Sequence, residues 1–285
     1  MDGKTALITG ATSGIGLVMA RALVSAGAHV FVAGRDPVRA ERVAADLHRE
    51  GRGGRSEAFA ADLSSQADVR RLAAEIQSRV TRLDLLMNNA GAVFADRKLS
   101  VDGIEMTLAV NHLAPFLLTN LLLDQLRAGD ASRVVTTASA AHQGARPPFD
   151  DMNNAQGRWF GFRAYSETKL MNIMFTYALA RRLSGMPVTA NAFHPGFVAT
   201  NFGRSNGGWW NAAFRLGSLF AISPEKGAQT GIFLAMSPEV ANVTGGYFAG
   251  KKQVKSSPET YDINAQERLW TVSESLTTHK ENALR

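Results

Sequence analysis

The stretch Thr9-Gly10-Ala11-Thr12-Ser13-Gly14-Ile15-Gly16 limits the possible folds of this chain more than any other. It lies between an apolar run, Ala6-Leu7-Ile8, and a helix-like pattern from Leu17 to Leu23. A strand that turns into a helix within a few residues needs unusual backbone angles, which glycine reaches at least cost. Glycine also lets a ligand approach the backbone at a helix N-terminus, where free N–H groups and the helix dipole attract phosphate. The segment reads as strand, phosphate-cradling turn and helix. Gly10, Thr12, Ser13, Gly14, Ile15 and Gly16 are its candidate ligand residues. In isolation such a pattern could equally be a surface turn, so its neighbours must decide.

The neighbours alternate between apolar strands and helical patterns. Predicted strands are His29–Gly34, Ser56–Leu63, Leu83–Met87, Arg133–Ala138, Val188–Phe193 and a short last one at Gly246–Gly250. Helical spacing is read over Pro37–Arg49, Gln66–Val80, Asp102–Leu126 and Arg163–Leu183, with another helix from about Pro224. A polar, proline-containing loop fills roughly 140–162, and an aromatic-rich excursion covers about 197–222. Such alternation argues for a parallel sheet covered on both faces, an α/β fold of the Rossmann type, doubly wound. Ligands in such sheets bind beyond the carboxyl ends of the strands. Gly10, Arg35, Asp62, Asn89, Ser139 and Gly196 all fall at those ends. No composition break precedes residue 251, so one domain over 1–250 is expected, with 251–285 as a helical tail packed on it or on a neighbouring subunit.

Composition narrows the class. Of 285 residues, 45% are hydrophobic and 20% charged, as in ordinary globular proteins. The absence of cysteine rules out disulfides and thiolate metal sites, and no metal site is expected. No run of 18 apolar residues occurs, and the N-terminus has no signal-peptide pattern, so a cytoplasmic protein without a membrane anchor is expected. The net charge is +6, but the basic pairs (Arg70-Arg71, Arg181-Arg182, Lys251-Lys252) are scattered among acids with no aromatic interleaving. That argues against nucleic acid and fits a mild bias toward anionic ligands.

Tyr165 and Lys169 stand four apart on a predicted helix and so share one face. A phenol with a pKa near 10 is a poor acid–base group at neutral pH, and a nearby ammonium would bring it down. Ser139, at the end of a strand, could hydrogen-bond a substrate carbonyl, and Asn111 could tie Lys169 into a proton path through water. Each of these is weak alone. Their joint presence with the glycine turn is specific.

With those residues in view, the chain resembles the short-chain dehydrogenase/reductase family over nearly its whole length. The match is carried by Thr9–Gly16, Asp62-Leu63, Asn88-Asn89-Ala90-Gly91, Asn111, Ser139, Tyr165 with Lys169, and Pro195-Gly196 with Thr200. Within the family it is most similar to the retinol-dehydrogenase-like branch, through Ser139-Ala140-Ala141-His142, the long insertion before Tyr165, Lys169-Leu170-Met171-Asn172 and the tail Arg268-Leu269-Trp270. It departs from the pattern in having Ala138 before Ser139 instead of a serine pair, and the N-terminal anchor of many retinol dehydrogenases is not expected here. The resemblance implies that Tyr165 is the general acid or base. It also implies that Lys169 lowers the tyrosine pKa and holds the nicotinamide ribose, that Ser139 orients the carbonyl and that Asn111 supports the relay. Asp62 and Leu63 would contact the adenine, and Asn89, Ala90 and Gly91 the adenosine ribose. Pro195, Gly196, Val198 and Thr200 would line the nicotinamide end.

An acidic side chain at the end of the second strand would bind a ribose 2′-hydroxyl, whereas an arginine accommodates a 2′-phosphate. Gly34 stands at that point and Arg35 follows, so NADP(H) is expected; Asp36 is read as a helix cap. Phe197, Phe202, Trp209 and Trp210, in the excursion, suggest a mobile lid over a bulky apolar carbonyl or alcohol substrate. The tail is read as an amphipathic helix using Ile263, Leu269, Trp270, Val272 and Leu276. Family members pair through helices matching 102–126 and 163–183, so a homodimer or homotetramer is implied. A non-catalytic NADP-binding regulator and a nucleotide-sugar epimerase are the alternatives.

Overall fold

The computed structural model describes residues 1–51, 53–198 and 222–278. Strand β1 (Thr5–Thr9) runs into the glycine turn and helix α1 (Gly14–Ser25) leaves it. There follow β2 (His29–Gly34), α2 (Pro37–Glu50), β3 (Arg55–Ala60), α3 (Gln66–Arg79) and β4 (Leu85–Asn88). The chain continues through α4 (Met106–Leu108), α5 (Ala114–Leu121), α6 (Leu123–Arg127), β5 (Ser132–Thr137), α7 (Gly161–Arg182) and β6 (Val188–His194). It ends with α8 (Pro224–Met236), β7 (Gly246–Ala249), β8 (Lys252–Gln253) and α9 (Ile263–Thr277).

The strands form one eight-stranded sheet in the order β3-β2-β1-β4-β5-β6-β7-β8, parallel except for β8. The order reverses between β1 and β4, the switch point beyond whose carboxyl ends such sheets bind their ligands. Alternating strand residues face opposite layers. Ala6, Ile8, Val30 and Val32 pack with Met19, Leu23 and Ala228 on one side. Leu7, Phe31 and Ala33 pack with Leu72, Leu117 and Phe175 on the other. The result is a single Rossmann-type α/β domain.

Several boundaries differ from the sequence reading. β3 stops at Ala60 because Asp62 already belongs to the next turn, its carboxylate accepting from Ser64 N and Oγ at 3.0 and 2.8 Å. The long helix expected over Asp102–Leu126 starts only at Met106, where the Glu105 carboxylate caps it by accepting from Thr107 N and Leu108 N. It is then interrupted by a π-turn at Ala109–Leu113. The cause lies in Pro115, which has no N–H to give the carbonyl four residues earlier. That carbonyl, of Asn111, accepts instead from Asn172 Nδ2 at 2.9 Å. The short strand at Gly246–Ala249 is followed by an antiparallel β8 absent from the sequence reading.

The tail comprises a 3₁₀ turn at Pro258–Tyr261 and then α9, which packs across α7 and α5. Trp270 lies 5.0 Å from Phe116 and 5.8 Å from Phe175, beneath the Arg182 guanidinium at 3.9 Å. Its buried face is Gln266, Leu269, Trp270, Ser273 and Thr277; Ile263, expected on that face, is exposed. Polar partners waiting on α7 and the π-turn shift the buried stripe. Arg181 donates to Gln266, and His112 Nε2 meets Ser273 Oγ at 2.9 Å.

Candidate active site

The turn after β1 is latched from the neighbouring strand. Thr9 Oγ1 accepts from Asn89 N at 3.0 Å and Ala90 N at 3.1 Å, and Asn89 Nδ2 donates to Thr9 O at 2.9 Å. Gly10 turns the chain at φ +66°. A Cβ on Gly16 would stand 2.4 Å from Gly10 O and 2.5 Å from Asn89 Nδ2, so only glycine brings α1 this close to the turn. Ser13 occupies the N-cap of α1 without a side-chain cap bond. The first-turn N–H groups of this twelve-residue helix therefore have no side-chain acceptor at the cap, which suits an anionic ligand.

At the end of β2, a Cβ on Gly34 would lie 2.5 Å from Thr12 Cγ2. Thr12 thus fills the place an acidic side chain would take. Arg35 follows and is exposed, while Asp36 caps α2 by accepting from Arg39 N at 3.1 Å. Asp62 turns its carboxylate onto Ser64, and Leu63 packs against the core beside it. At the other end, Gly196 turns at φ +91° and Phe197 is exposed. The side chains of Val198 and Ile15 crowd the same face of Gly227, which brings the segment after β6 onto the first turn of α1. Thr200, Phe202, Trp209 and Trp210 lie outside the described residues, as does most of the 197–222 excursion.

The candidate reactive groups gather around α7, whose first turns carry Tyr165 and Lys169. Tyr165 is hydrogen-bonded to the Ser139 side chain, and the Lys169 ammonium lies 5.5 Å from the centre of its ring. Ser139 stands two residues beyond β5 and caps a single 3₁₀ turn, Ala140–His142, its Oγ accepting from Ala141 N at 3.2 Å. Lys169 is buried and donates to Thr137 O at 2.9 Å. Asn111 is buried too, with Oδ1 accepting from Ala92 N at 2.8 Å and Nδ2 donating to Ala92 O at 2.9 Å and Thr168 Oγ1 at 3.1 Å. It thereby pins the chain just after Gly91, where a Cβ would stand 3.3 Å from Lys169 Nζ and 3.5 Å from Asn111 Oδ1. Gly91, Asn111 and Lys169 thus meet in one place.

The electrostatics of the pair differ from the sequence expectation. Burial pushes the Tyr165 phenol up to about 12, against a smaller downward effect of the Ser139 bond. Burial pulls Lys169 down to about 8. Desolvation disfavours the charged form of both groups.

Three features escaped the sequence reading. Phe162, one turn before Tyr165, lies 6.1 Å from its ring and is 46% exposed. Phe160 caps the same helix and is also exposed. His142 and His194 both bond the backbone beside Ser139. The phenylalanines carry a legible signal, large apolar residues within five positions of Tyr165, whereas the His194 contact joins residues 54 positions apart.

A glycine turn opening onto an uncapped helix, at the switch point of a doubly wound sheet and beside a Ser–Tyr–Lys cluster whose tyrosine and lysine are buried, defines a dinucleotide-dependent oxidoreductase. A family model described as short chain dehydrogenase matches residues 4–209. Human retinol dehydrogenase 13 is 40% identical over 97% of this chain and 85% of its own length. Human retinol dehydrogenase 14 is 42% identical over 96% of this chain and 86% of its own length. Among solved structures, the Pseudomonas aeruginosa RhlG/NADP active-site complex is 30% identical with a TM-score of 0.69, covering 87% of this chain and 94% of the other. The chain belongs to the short-chain dehydrogenase/reductase family and is retinol-dehydrogenase-like within it; it is an oxidoreductase acting on CH–OH or C=O groups. Among the described residues, no helix is long and apolar enough to cross a membrane, and no cluster of three or more His, Asp or Glu could hold a metal.

Proposed function

We propose that the chain is an NADP(H)-dependent reductase of bulky apolar aldehydes or ketones, with Tyr165 as the proton donor. The observation that carries this reading is the Tyr165 phenol, bonded to Ser139, overlooked by Lys169 and flanked by the exposed Phe162 ring. The glycine turn, the first turn of α1 and Arg35 would hold the dinucleotide, with Asp62, Asn89–Gly91 and Val198 along its length. When bound, the reduced nicotinamide supplies the hydride.

The protein residues handle the proton. As the substrate oxygen gains negative charge, the neutral phenol of Tyr165 hands it a proton. Ser139 Oγ accepts from Ala141 N, and its one proton, directed at the Tyr165 oxygen, would turn to the carbonyl oxygen that enters between them. Lys169 spends one of its three donors on Thr137 O, leaving two for the ribose and for the phenolate that forms. A phenol held near 12 keeps its proton at neutral pH, the form that reduction needs.

Three observations support the finer choices. Arg35 beside Gly34 supports NADP over NAD, as does the bound NADP of the Pseudomonas structure. Phe160, Phe162 and Phe197 are exposed apolar rings, and the retinol dehydrogenases by their names act on an apolar alcohol. Residues 1–250 would form the catalytic unit and 251–285 its packed tail. Association into a homodimer or homotetramer rests on the resemblance alone, and α9 covers part of the helices through which family members pair. A cytoplasmic location belongs to the same reading.

The experiment is NADPH consumption against a panel of apolar aldehydes and ketones, with Tyr165→Phe in parallel. Turnover lost in the variant, with NADPH binding retained, is the expected result. Tight NADPH binding without turnover of any member would overturn it.

A further inference from the structure

The peptide that follows Ser139 is gripped on both edges by histidine side chains. Its carbonyl accepts from His142 Nδ1 at 2.6 Å. Its N–H, that of Ala140, donates to His194 Nδ1 at 3.1 Å. The partners assign the tautomers. A carbonyl only accepts, so His142 Nδ1 carries the proton; Ser257 N–H only donates, so His142 Nε2, 3.1 Å away, is bare. His194 Nδ1 is bare because it accepts from Ala140 N–H and, at 3.4 Å, from Gly196 N–H. The two rings are neutral and serve one peptide as donor and acceptor.

Their surroundings keep them neutral. His142 has no exposed surface; burial lowers its pKa, opposed by the Ser139 bond and by Glu259. Burial also lowers that of His194, and His142 adds to the effect. An apolar ring at 142 would fill the space against Tyr247, whose ring centre is 5.0 Å away, without the cost of burying polar atoms. The imidazole is therefore to be explained by its bonds.

The bonds close a circuit through the reactive groups. Ser139 caps a turn of only three residues, too short to hold its own direction. His142 ties it to Ser257, whose carbonyl accepts from Thr260 Oγ1 at 2.6 Å. Ser256, next in the chain, meets the Tyr177 hydroxyl at 2.8 Å, and Tyr177 lies on α7 with Tyr165. On the opposite edge, His194 is the last residue of β6. The orientation of the 139–140 peptide, and so the line from Ser139 Oγ to Tyr165, is set from two independent elements.

We propose that His142 and His194 are positioning residues for the reaction, clamping the Ser139–Ala140 peptide so that the Ser139 hydroxyl stays aligned with Tyr165. This rests on the reading of Ser139 and Tyr165 as the reacting pair. The test is steady-state NADPH oxidation by the full chain, with all-trans-retinal and decanal as probes. The variants are His194→Leu, His194→Asn, His142→Phe, His142→Asn, Ser139→Ala and the combinations of the Leu and Phe variants with Ser139→Ala. A small misalignment of a reacting group costs up to about 100-fold in rate. His194→Leu and His142→Phe are expected to lower kcat by about 10- to 100-fold, with KM for NADPH unchanged. Asparagine offers an acceptor where His194 has Nδ1 and a donor where His142 has Nδ1, so both asparagine variants should recover most of the loss. In the Ser139→Ala background the histidine substitutions should cost nothing further.

The two failures can be told apart. Wild-type speed in Ser139→Ala, or no turnover of either probe by the native chain, overturns the functional reading and the clamp with it. A slow Ser139→Ala whose double variants lose a further tenfold overturns the clamp alone. A rise in KM for NADPH at constant kcat does the same. If His142→Phe does not fold, as judged by circular dichroism, the partly exposed His194 and its asparagine variant decide the matter.

Discussion

Lys169 Nζ lies 5.5 Å from the centre of the Tyr165 ring and donates to the Thr137 carbonyl at 2.9 Å. The strand next to α7 thus holds the ammonium against the phenol before any ligand binds. Lys169, at about 8, is charged below that pH, and Tyr165, at about 12, keeps its proton across the accessible range. The kcat/KM for reduction is expected to be level through neutral pH and to fall as pH rises through about 8. Lys169→Met should lower the rate and remove that limb; Tyr165→Phe should cost at least about 100-fold in kcat. A pH–rate profile that climbs above 8 would mean the phenolate is the working form.

Cofactor selection should depend on Thr12 as much as on Gly34. A side chain at 34 meets Thr12 Cγ2, so Gly34→Asp alone is expected to weaken NADPH without improving NADH. Pairing it with Thr12→Gly should make NADH the better cofactor. Arg35→Ala should raise the Kd for NADPH by about 10- to 100-fold, since a hydrogen bond to a charged group contributes about 1.5–3 kcal/mol, and leave NADH unchanged. Fluorescence titration with both nucleotides measures it, and equal losses for the two would refute the role of Arg35.

His112 predicts acid sensitivity. It is buried between Asn172 and Ser273, and burial pulls it down to about 4 from 6.5. The unfolded chain takes up the proton near 6.5 and the folded chain only near 4. The stability present above pH 6.5 is therefore lost progressively as pH falls toward 4, by about 3 kcal/mol from this group. Urea midpoints at several pH values should show the decline, and His112→Asn should flatten it. An undiminished slope in the variant would place the sensitivity elsewhere.

The anchor of the C-terminal helix is Trp270. It is 8% exposed, packed on Phe116 and Phe175 and covered by Arg182. Trp270→Ala should cost about 3–5 kcal/mol and lower Tm by several degrees, whereas Ile263→Ala, on the exposed side, should change little. Thermal unfolding of both variants checks the assignment of the buried face.

Much of the scaffold was legible because its signals are local. The apolar runs that became β1, β2 and β6, the cap Asp36, and the spacing of Tyr165 and Lys169 act within a few residues. The helix over 102–126 was misread for the same reason in reverse. Glu105 and Pro115 carry capping and breaking signals, but the π-turn persists because Asn172, on another helix, takes the carbonyl that Pro115 leaves unpaired. The pKa of Tyr165 was misjudged because spacing conveys the nearness of a charge and says nothing about its desolvation.

By itself, the sequence determined the strand–turn–helix opening and the parallel sheet covered on both faces, since backbone propensity and periodicity are short-range properties, and it named the candidate site residues. Only the tertiary structure decided that Thr12 occupies the space beside Gly34, that α9 seals the faces of α5 and α7, and that two histidines hold the peptide after Ser139. Apart from the short His142–Ser139 contact, those arrangements join residues about 20 to 160 positions apart, and they exist only once the sheet brings the strand ends together and excludes water from between them.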